Sequence, residues 1–439
     1  MTESSNVNYQ QSIDQSDREV PINLRQSGDP GIRLLLSNRV RKSPYWHLSC
    51  EEGCWRATVY NRMYHPRGYV QPEDGGAMVE YRALVNHVTL WNVAVERPFR
   101  VKGPDAEAFC NLVCTRDVTR VPVMRGRYVI LCNEKGHVLN DPVMLRISED
   151  EFWFTISDSD LMFWFQGINV YAKYDVEIDE IDVAPLQIQG PKSEPLMVDL
   201  VGEGIRDVPY YGLMAANIAG VDCIISQTGF SGEKGYEVYP YDSTLNAEKV
   251  WYKIKEEGEK HELMVIAPAH HRRIAAGILS YGQDLDHETN PFQCYLGHMV
   301  PKTKEAHYIG KEALEQTREQ VNAGNPPFRH QLVGLKLGGK PIEDYAPDFW
   351  LVAESEESEP IGWITSPWYS PELEINIAMA YVPVAKAALG TELVAWLPEE
   401  YQPYPGHPVH AEVVEMPFRP SVNPSSRERA KAEGRDYAY

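Results

Sequence analysis

The segment SQTGFSGEKGYEVYP, residues 226–240, combines glycine-rich bends with a strand-like run. Gly229 and Gly232 mark two bends, and the residues from 235 onward have the composition of a strand. Glu237 lies within that strand, and an ionised carboxylate can accept two parallel N–H hydrogen bonds. Glu237 is therefore the first candidate ligand-binding residue, and an exposed strand glutamate is the alternative interpretation.

The length and charge of the chain disfavour nucleic-acid-binding and membrane proteins. The chain has 439 residues with a formal net charge of -21 at pH 7, and this length predicts roughly two or three domains. The acidic balance disfavours binding to nucleic acid or to an anionic membrane. No apolar stretch of about 18 residues is present, and the polar N-terminus has no signal-peptide core. We expect a cytoplasmic protein.

The seven cysteines do not have the spacing of a metal site. Cys50 and Cys54 are four residues apart, as are Cys110 and Cys114, but no Cys-x-x-Cys or His-x-x-x-His partner lies nearby. In a cytoplasmic chain they are predicted to be reduced, buried thiols. The sequence predicts no metal.

The order of patterns along the chain predicts an α+β fold. Strand and helix patterns alternate up to about residue 290, with a hairpin turning at residues 133–136. After about residue 330 short strands are separated by Pro, Gly and acidic turns, which predicts an all-β sandwich or barrel. The acidic run at residues 354–360 is expected to be an exposed hairpin loop.

Five segments in order resemble the glycine-cleavage T-protein family of folate-dependent enzymes. The resemblance rests on APLQIQGPKS (184–193), SQTGFSGEKGYEVYP (226–240), RIAAGILSYGQDLD (273–286), YIGKEAL (308–314) and IGWITSPWYSPELEINIAMAYV (361–382). It implies a multi-domain cloverleaf around a central folate pocket with a C-terminal β-barrel. It also implies that residues 273–286 include a helix. The boundaries that follow are 1–25 for a disordered extension, 26–325 for the folate-binding region in two subdomains, 326–420 for the barrel, and 421–439 for a flexible tail.

Other segments are similar to the sulfonium demethylases within that family. They are RVRKSPYW, TVYNRMYHP, LWNVAVE, NDPVMLRISEDEFWFTISDSDLMFWFQG and ILSYGQD. Aminomethyl transferases carry Phe-Asp-Val-Ser-His-Met where this chain has residues 91–96, WNVAVE. The resemblance implies methyl transfer from a sulfonium donor, such as dimethylsulfoniopropionate, to tetrahydrofolate, giving 5-methyltetrahydrofolate.

The resemblance also assigns the folate-binding residues. Glu237 would read the pterin edge, and Asp141 would face the reacting nitrogen as the catalytic residue, although a turn-capping aspartate before Pro142 is the alternative. Arg273 matches an arginine directed at the folate, and Tyr128 a tyrosine packed by the pterin. Phe230 stands where the aminomethyl transferases have tyrosine.

The donor pocket requires aromatic faces for a cation and a basic or hydroxyl group for a carboxylate. The aromatic candidates are Tyr60, Trp91, Trp164 and Phe230. The candidates for the carboxylate are Ser157, Ser159, Arg41 and Lys42. Each aromatic alone is more often a core residue. His270 and His271 are expected to be surface residues at the start of a helix.

Two other functions stay open from the sequence. One is a tetrahydrofolate-dependent O-demethylase of methoxy-aromatic acids, in which a tyrosine such as Tyr60 would supply the proton that a phenolate leaving group needs. The other is a folate-binding protein without turnover, since fold alone does not prove function. The expected partners are a small-molecule donor and folate, and a homo-oligomer is left open.

Overall fold

The computed structural model describes residues 37–344, 350–396 and 408–422. The N-terminal extension and the tail after residue 422, both expected to be flexible, lie outside the described residues. Packing divides the described chain into two units, residues 38–328 with 417–422 and residues 329–416. The domain boundaries given above stay predictions.

The first unit alternates strands and helices, as its sequence predicts. Its strands are β1 (Arg56–Tyr60), β2 (Met63–Gly68), β3 (Val88–Asn92), β4 (Phe99–Lys102), β5 (Arg125–Tyr128), β6 (Leu131–Cys132), β7 (Val138–Asn140), β8 (Val143–Arg146), β9 (Glu151–Thr155), β10 (Glu177–Glu180), β11 (Leu186–Gln189), β12 (Leu213–Ile218), β13 (Val221–Ser226), β14 (Gly235–Pro240) and β15 (Leu263–Val265). Its helices are α1 (Trp46–Glu51), α2 (Gly76–Asn86), α3 (Ala106–Val113), α4 (Leu161–Ala172), α5 (Ser193–Val201), α6 (Ser243–Gly258), α7 (His270–Ala275) and α8 (Lys311–Asn322). The hairpin predicted at residues 133–136 is confirmed, because this turn joins β6 to β7.

One sheet of this unit has the strand order β12-β13-β14-β11-β3-β15. Side chains alternate between the two faces of a strand, and one face carries Leu186, Ile188 and Val238 in the same core cluster as residues of α5 and α6. The opposite face carries Gln187 and Glu237, paired across β11 and β14. The apolar face therefore anchors the sheet on its helices, and the other face is left for polar side chains.

A second sheet has the order β10-β4-β9-β8-β5 and packs against α3 and α4. Its core is aromatic: the Phe99 ring stacks on Phe154 at 5.4 Å and meets the edge of Phe165 at 5.1 Å. Such ring pairs contribute about 0.5–1.5 kcal/mol beyond the area they bury. This packing fixes β8, which Asp141 precedes, and β9, which Ser157 follows.

Strands β1 and β2 form an antiparallel hairpin. Its two turn residues are Asn61, with φ 48°, and Arg62, with φ 58°. Positive φ at both central positions is the geometry of the favoured two-residue hairpin turn, and asparagine tolerates it well. The turn places the end of β1 beside the loop that follows β9.

The second unit is a closed barrel, so the expectation of a sandwich or barrel is confirmed in its barrel form. Its strands are β16 (His330–Leu337), β17 (Trp350–Ala353), β18 (Pro360–Ser370), β19 (Ile375–Pro383), β20 (Glu392–Trp396) and β21 (Pro408–Val414). They follow the order β16-β19-β18-β17-β20-β21 around the barrel. The acidic residues at 354–359 connect β17 to β18 as a mostly exposed loop, as predicted.

The helix that the resemblance implies within residues 273–286 covers only their first three positions, because α7 ends at Ala275 and Gly277 turns the chain with φ 68°. Two other expectations from the sequence are wrong. His270 and His271 are buried, at 6% and 4% exposure, instead of lying on the surface. Cys50 is an exposed thiol and not a buried one. Within the described residues, no helix has the length and apolar character needed to cross a membrane.

Candidate functional site

Glu237 lies in a row of side chains that crosses the polar face of the first sheet. It is paired with Gln187 of β11 and with Ser226 of β13, and Gln187 is in turn paired with Trp91 of β3. Directly paired residues of antiparallel strands point to the same face. The strand register therefore brings three distant sequence segments into one line of polar and aromatic side chains.

The carboxylate of Glu237 is held by three donors. Its Oε1 accepts a hydrogen bond from Gln187 Nε2 at 2.7 Å, and its Oε2 accepts from Thr228 Oγ1 at 2.5 Å and from the Tyr239 hydroxyl at 2.6 Å. The side chain is buried, so the alternative of an exposed strand glutamate is wrong. Burial raises the pKa of Glu237, and the hydrogen bonds from Thr228, Tyr239 and Gln187 lower it.

A second carboxyl group, which the sequence analysis did not single out, lies beside it. Glu96 ends the short 3₁₀ turn Ala94–Glu96 after β3, and its Oε1 accepts from the same Gln187 Nε2 at 3.3 Å. Its Oε2 is buried without a hydrogen-bond partner among the described residues. Burial, and then the charge of Glu237, raise the pKa of Glu96 well above its usual range.

Asp141 follows β7 and is the centre of a second buried group. Its Oδ2 accepts from the Tyr128 hydroxyl at 2.9 Å and its Oδ1 accepts from Ser157 Oγ at 2.6 Å. The pairing of Val143 with Thr155 explains this contact, because Asp141 and Ser157 lie two residues beyond that pair on each strand. The sheet register thus joins three of the residues predicted from sequence.

The surroundings of Asp141 bring its pKa close to neutrality. Burial raises its pKa to about 6, while the hydrogen bonds from Ser157 and Tyr128 pull in the opposite direction. The nearby carboxylate of Asp284 raises it further. A carboxyl group with a pKa near neutrality can both hold and release a proton under ordinary conditions.

Tyr60 completes this group from the end of β1. Burial raises the pKa of the Tyr60 hydroxyl well above its usual range, and the charge of Asp141 raises it further. A hydrogen bond with Ser157 lowers it. Asn61 holds the hairpin in place, since its Nδ2 donates to the carbonyl groups of Val95 and Ile156 and its Oδ1 accepts from the Ser159 amide. Asn61 was not predicted from the sequence, and the signal that could have identified it is an Asn-Arg pair between two strand-like runs.

The end of β9 links the two acidic groups. Thr155 forms a hydrogen bond with Tyr239, which donates to Glu237. Two residues further on, Ser157 donates to Asp141. A continuous chain of contacts therefore runs from one carboxyl group to the other along residues 155–157.

Arg273 is buried in an internal network. Its Nη1 lies 2.6 Å from Asp284 Oδ2 and donates to the Ile278 carbonyl, and its Nη2 donates to Gln283 Oε1 at 3.1 Å. The guanidinium carbon lies 5.9 Å from the centre of the Phe230 ring. Arg273 thus holds the segment that brings Asp284 near Asp141, and its contact with folate stays a prediction.

The remaining donor-pocket candidates have different positions. Trp91 is fully buried in a cluster that Phe230 flanks, and its Nε1 donates to Thr89 Oγ1 at 2.8 Å. Ser159 Oγ accepts from Asn140 Nδ2 at 2.7 Å, close to Ser157. Trp164 packs on the aromatic core of the second sheet.

The basic candidates lie at the surface. Arg41 forms an exposed ion pair with Glu180 at 2.5 Å, and Lys42 is exposed. In the described part of the chain, no hydrogen bond, ion pair or ring contact joins Lys42 or Trp164 to the Asp141 group. Nor do the described residues contain a cluster of three or more His, Cys, Asp or Glu that could hold a metal ion.

Comparisons with known proteins agree with this architecture. The model of the GCVT N-terminal domain matches residues 49–304, and that of the glycine cleavage T-protein C-terminal barrel domain matches residues 330–419. The chain belongs to the glycine-cleavage T-protein family. Members of this family are folate-dependent enzymes that transfer one-carbon units, so the expected cofactor, tetrahydrofolate, is confirmed.

Two curated relatives of the family have similar identity but different names. Dimethylsulfoniopropionate demethylase of Ruegeria pomeroyi is 32% identical over 369 residues, covering 84% of this chain and 96% of that protein. Aminomethyltransferase of Thermotoga maritima is 32% identical over 347 residues, covering 77% and 88%. The crystal structure of aminomethyltransferase T from Bartonella henselae covers 88% of this chain and all of that one, with a TM-score of 0.74 at 21% identity, and supports the fold alone.

The polar face of this T-protein fold suits a reduced pterin. The aminopyrimidine edge of a pterin offers several N–H donors, and a site that reads it needs buried acceptors. Glu237 and Glu96 supply carboxyl oxygens on one side of Gln187, and Glu96 Oε2 has no partner within the described residues. The residues present therefore fit the group that the family uses.

Proposed function

We propose that this protein is a tetrahydrofolate-dependent demethylase that takes a methyl group from a sulfonium compound of the dimethylsulfoniopropionate type. The observation that carries the proposal is the buried Asp141 carboxyl group, which two hydroxyl groups hold. Burial and the nearby Asp284 carboxylate both raise its pKa, so a positive charge beside Asp141 would stabilise the ionised form. Such a place favours a donor that brings its own positive charge.

The demethylase relative supports the same proposal. The Ruegeria pomeroyi protein is matched over 96% of its length, and residues 91–96 depart from the aminomethyl-transferase pattern. A sulfonium group is already activated because its sulfur leaves as a neutral thioether. The site then needs no general acid for the leaving group, and none of the proposed roles requires one.

Asp141 is the proposed catalytic residue. Tetrahydrofolate, when bound, supplies the nitrogen that takes up the methyl group. An ionised Asp141 stabilises positive charge that develops beside it, and its Oδ atoms can hold the proton that the nitrogen releases. Tyr128 and Ser157 fix both oxygens in place, so the carboxylate needs no reorganisation at the moment of transfer.

Glu237 and Tyr60 are proposed to hold the two substrates. Glu237, in β14, accepts hydrogen bonds from N–H groups of the pterin. The rings of Tyr128 and Phe230 contact the pterin, and Arg273 is proposed to bind folate as well. Tyr60 offers an aromatic face to the sulfonium cation. Ser159 is proposed to meet the donor carboxylate. Ser157 donates its single hydroxyl hydrogen to Asp141, and it stays a candidate from the sequence together with Lys42, Trp164 and Trp91.

Methyl transfer is tested by supplying purified protein and tetrahydrofolate with one donor at a time. The donors are dimethylsulfoniopropionate, a methoxy-aromatic acid and an aminomethyl donor, and folate products are separated by chromatography. We expect 5-methyltetrahydrofolate with the sulfonium donor alone. Methylenetetrahydrofolate from the aminomethyl donor, or demethylation of the methoxy acid alone, would contradict the proposal. Folate binding without any product would identify a binding protein.

A further inference from the structure

Glu237, the residue that the family motif assigns to the pterin, has little acceptor capacity left. A carboxylate offers about four lone-pair positions, and three are already used by Gln187, Thr228 and Tyr239. A pterin edge presents more N–H groups than one remaining position can accept. Glu237 alone therefore does not account for the recognition of this edge.

Glu96 has the capacity that Glu237 lacks. Its Oε1 has one long hydrogen bond, at 3.3 Å from Gln187 Nε2. Its Oε2 is buried and has no partner in the residues that the structure describes. A buried carboxyl oxygen without a donor costs free energy unless a ligand supplies one. An N–H donor from a ligand would favour the ionised form of Glu96, in which Oε2 is an acceptor with no donor in the described part of the chain.

The position of Glu96 relative to Glu237 decides which ligand group it meets. One amide, Gln187 Nε2, donates to both carboxyl groups, so the two acids lie next to each other. The charge of Glu237 also raises the pKa of Glu96. Whatever Glu237 binds through its free position therefore lies within reach of Glu96.

We propose that Glu96 is a second pterin-binding residue, whose Oε2 accepts an N–H of the 2-aminopyrimidine edge beside Glu237. This inference rests on the binding of folate and not on the identity of the methyl donor. It makes the pterin site a two-carboxyl site, in which Glu237 is held mainly by the protein and Glu96 is available to the ligand. Glu96 stands at the methionine position of the aminomethyl-transferase pattern, so Glu96→Met is the informative variant.

The test measures the Kd of tetrahydrofolate by titration calorimetry with no methyl donor present. Glu96→Met removes both oxygens, whereas Glu96→Gln keeps one acceptor. Glu151→Gln is the matched control, because Glu151 is another largely buried glutamate, which accepts from Trp153 Nε1 at 2.8 Å in the second sheet. We expect Glu96→Met to weaken binding about tenfold or more, Glu96→Gln to weaken it less, and the control to bind as the wild type does.

A ligand variant identifies the contact. The 2-desamino-2-methyl analogue of tetrahydrofolate lacks the 2-amino donors, and we expect it to lose more affinity for the wild type than for Glu96→Met. An equal loss in both proteins, or a Kd for Glu96→Met within twofold of the wild type, overturns the proposal. Should Glu96→Met fail to fold, Glu96→Gln with the analogue decides by the same comparison. Absent methyl transfer with intact folate binding would instead count against the proposed function alone.

Discussion

The two acidic centres of the site differ in how the protein holds them. Asp141 has one hydroxyl donor on each oxygen and a pKa raised to about 6. Glu237 has three donors and lies beside another carboxyl group, Glu96. Both are buried, yet only the second is embedded in a sheet face of other polar side chains.

This difference separates two tasks. A carboxyl group with a pKa near neutrality and few partners is suited to proton transfer and to stabilising charge. One that is fixed by several donors is suited to orienting a ligand, since its position cannot relax. We therefore expect loss of Asp141 to affect turnover and loss of Glu237 to affect binding.

The largest expected effect is on turnover. Asp141→Ala should lower kcat about 100- to 1000-fold, because it removes the charge placed at the reacting nitrogen. The Kd of tetrahydrofolate should change far less, which equilibrium titration measures. A kcat within a few fold of the wild type would show that Asp141 is not a catalytic residue and that it does not differ from Glu237 in its role.

The next effect is on folate binding. Glu237→Gln should weaken tetrahydrofolate binding by about 1–3 kcal/mol, as expected for a lost charged hydrogen bond. Single-turnover rates at saturating folate should stay closer to the wild type than those of Asp141→Ala. Unchanged folate affinity would place Glu237 outside the pterin site.

The free energy of unfolding should depend on the ionisation of Asp141. Folding raises the pKa of Asp141 from 3.8 to about 6, so the stability that this group contributes is present below pH 4 and is lost as pH rises through 6. Asp141→Asn should therefore be more stable than the wild type at pH 7 by about 1–3 kcal/mol, since it carries no charge to desolvate. Denaturant unfolding at pH 7 and pH 4 measures this, and a stability gain that persists at pH 4 would assign it to another cause.

The wild-type rate should follow the same ionisation. If turnover uses ionised Asp141, kcat should rise as pH increases through about 6. Tyr128→Phe removes a hydrogen bond that lowers the pKa of Asp141, so its rate profile should shift to higher pH. A profile that does not move would show that Tyr128 does not act through Asp141.

The smallest functional effect is expected at Trp91. The side chain is fully buried and donates to Thr89, so Trp91→Phe should lower stability by about 1–3 kcal/mol through lost packing. The KM for the methyl donor should stay unchanged. A raised KM for the donor with unaltered stability would contradict this and would show that Trp91 contacts the methyl donor near Asp141.

The fold could be predicted from sequence where strand-like runs of residues are bounded by Gly, Pro or other turn residues. The run from Gly229 to Glu237 and the short strands after residue 330 each have a local signal, and both form the elements expected. In residues 273–286, for which the resemblance implied a helix, α7 covers only the first three positions, because Gly277 turns the chain with φ 68°. His270 and His271 look polar in sequence but are buried by tertiary packing that no local pattern reports.

The site was predictable only in part, for a related reason. Asp141, Tyr128 and Ser157 were named separately, and the register of β8 with β9 is what joins Asp141 to Ser157. Glu96 has no motif of its own. Its place beside Glu237 follows from the pairing of β3 and β14 with the central strand β11, which arises from contacts about 50–100 residues apart in the chain.

The most direct measurement is a crystal structure of the protein with tetrahydrofolate bound. We expect one folate molecule whose aminopyrimidine edge lies within hydrogen-bond distance of the Glu237 carboxylate and whose reacting nitrogen faces Asp141. A folate that contacts one of these acids and leaves the other in a separate place would contradict it.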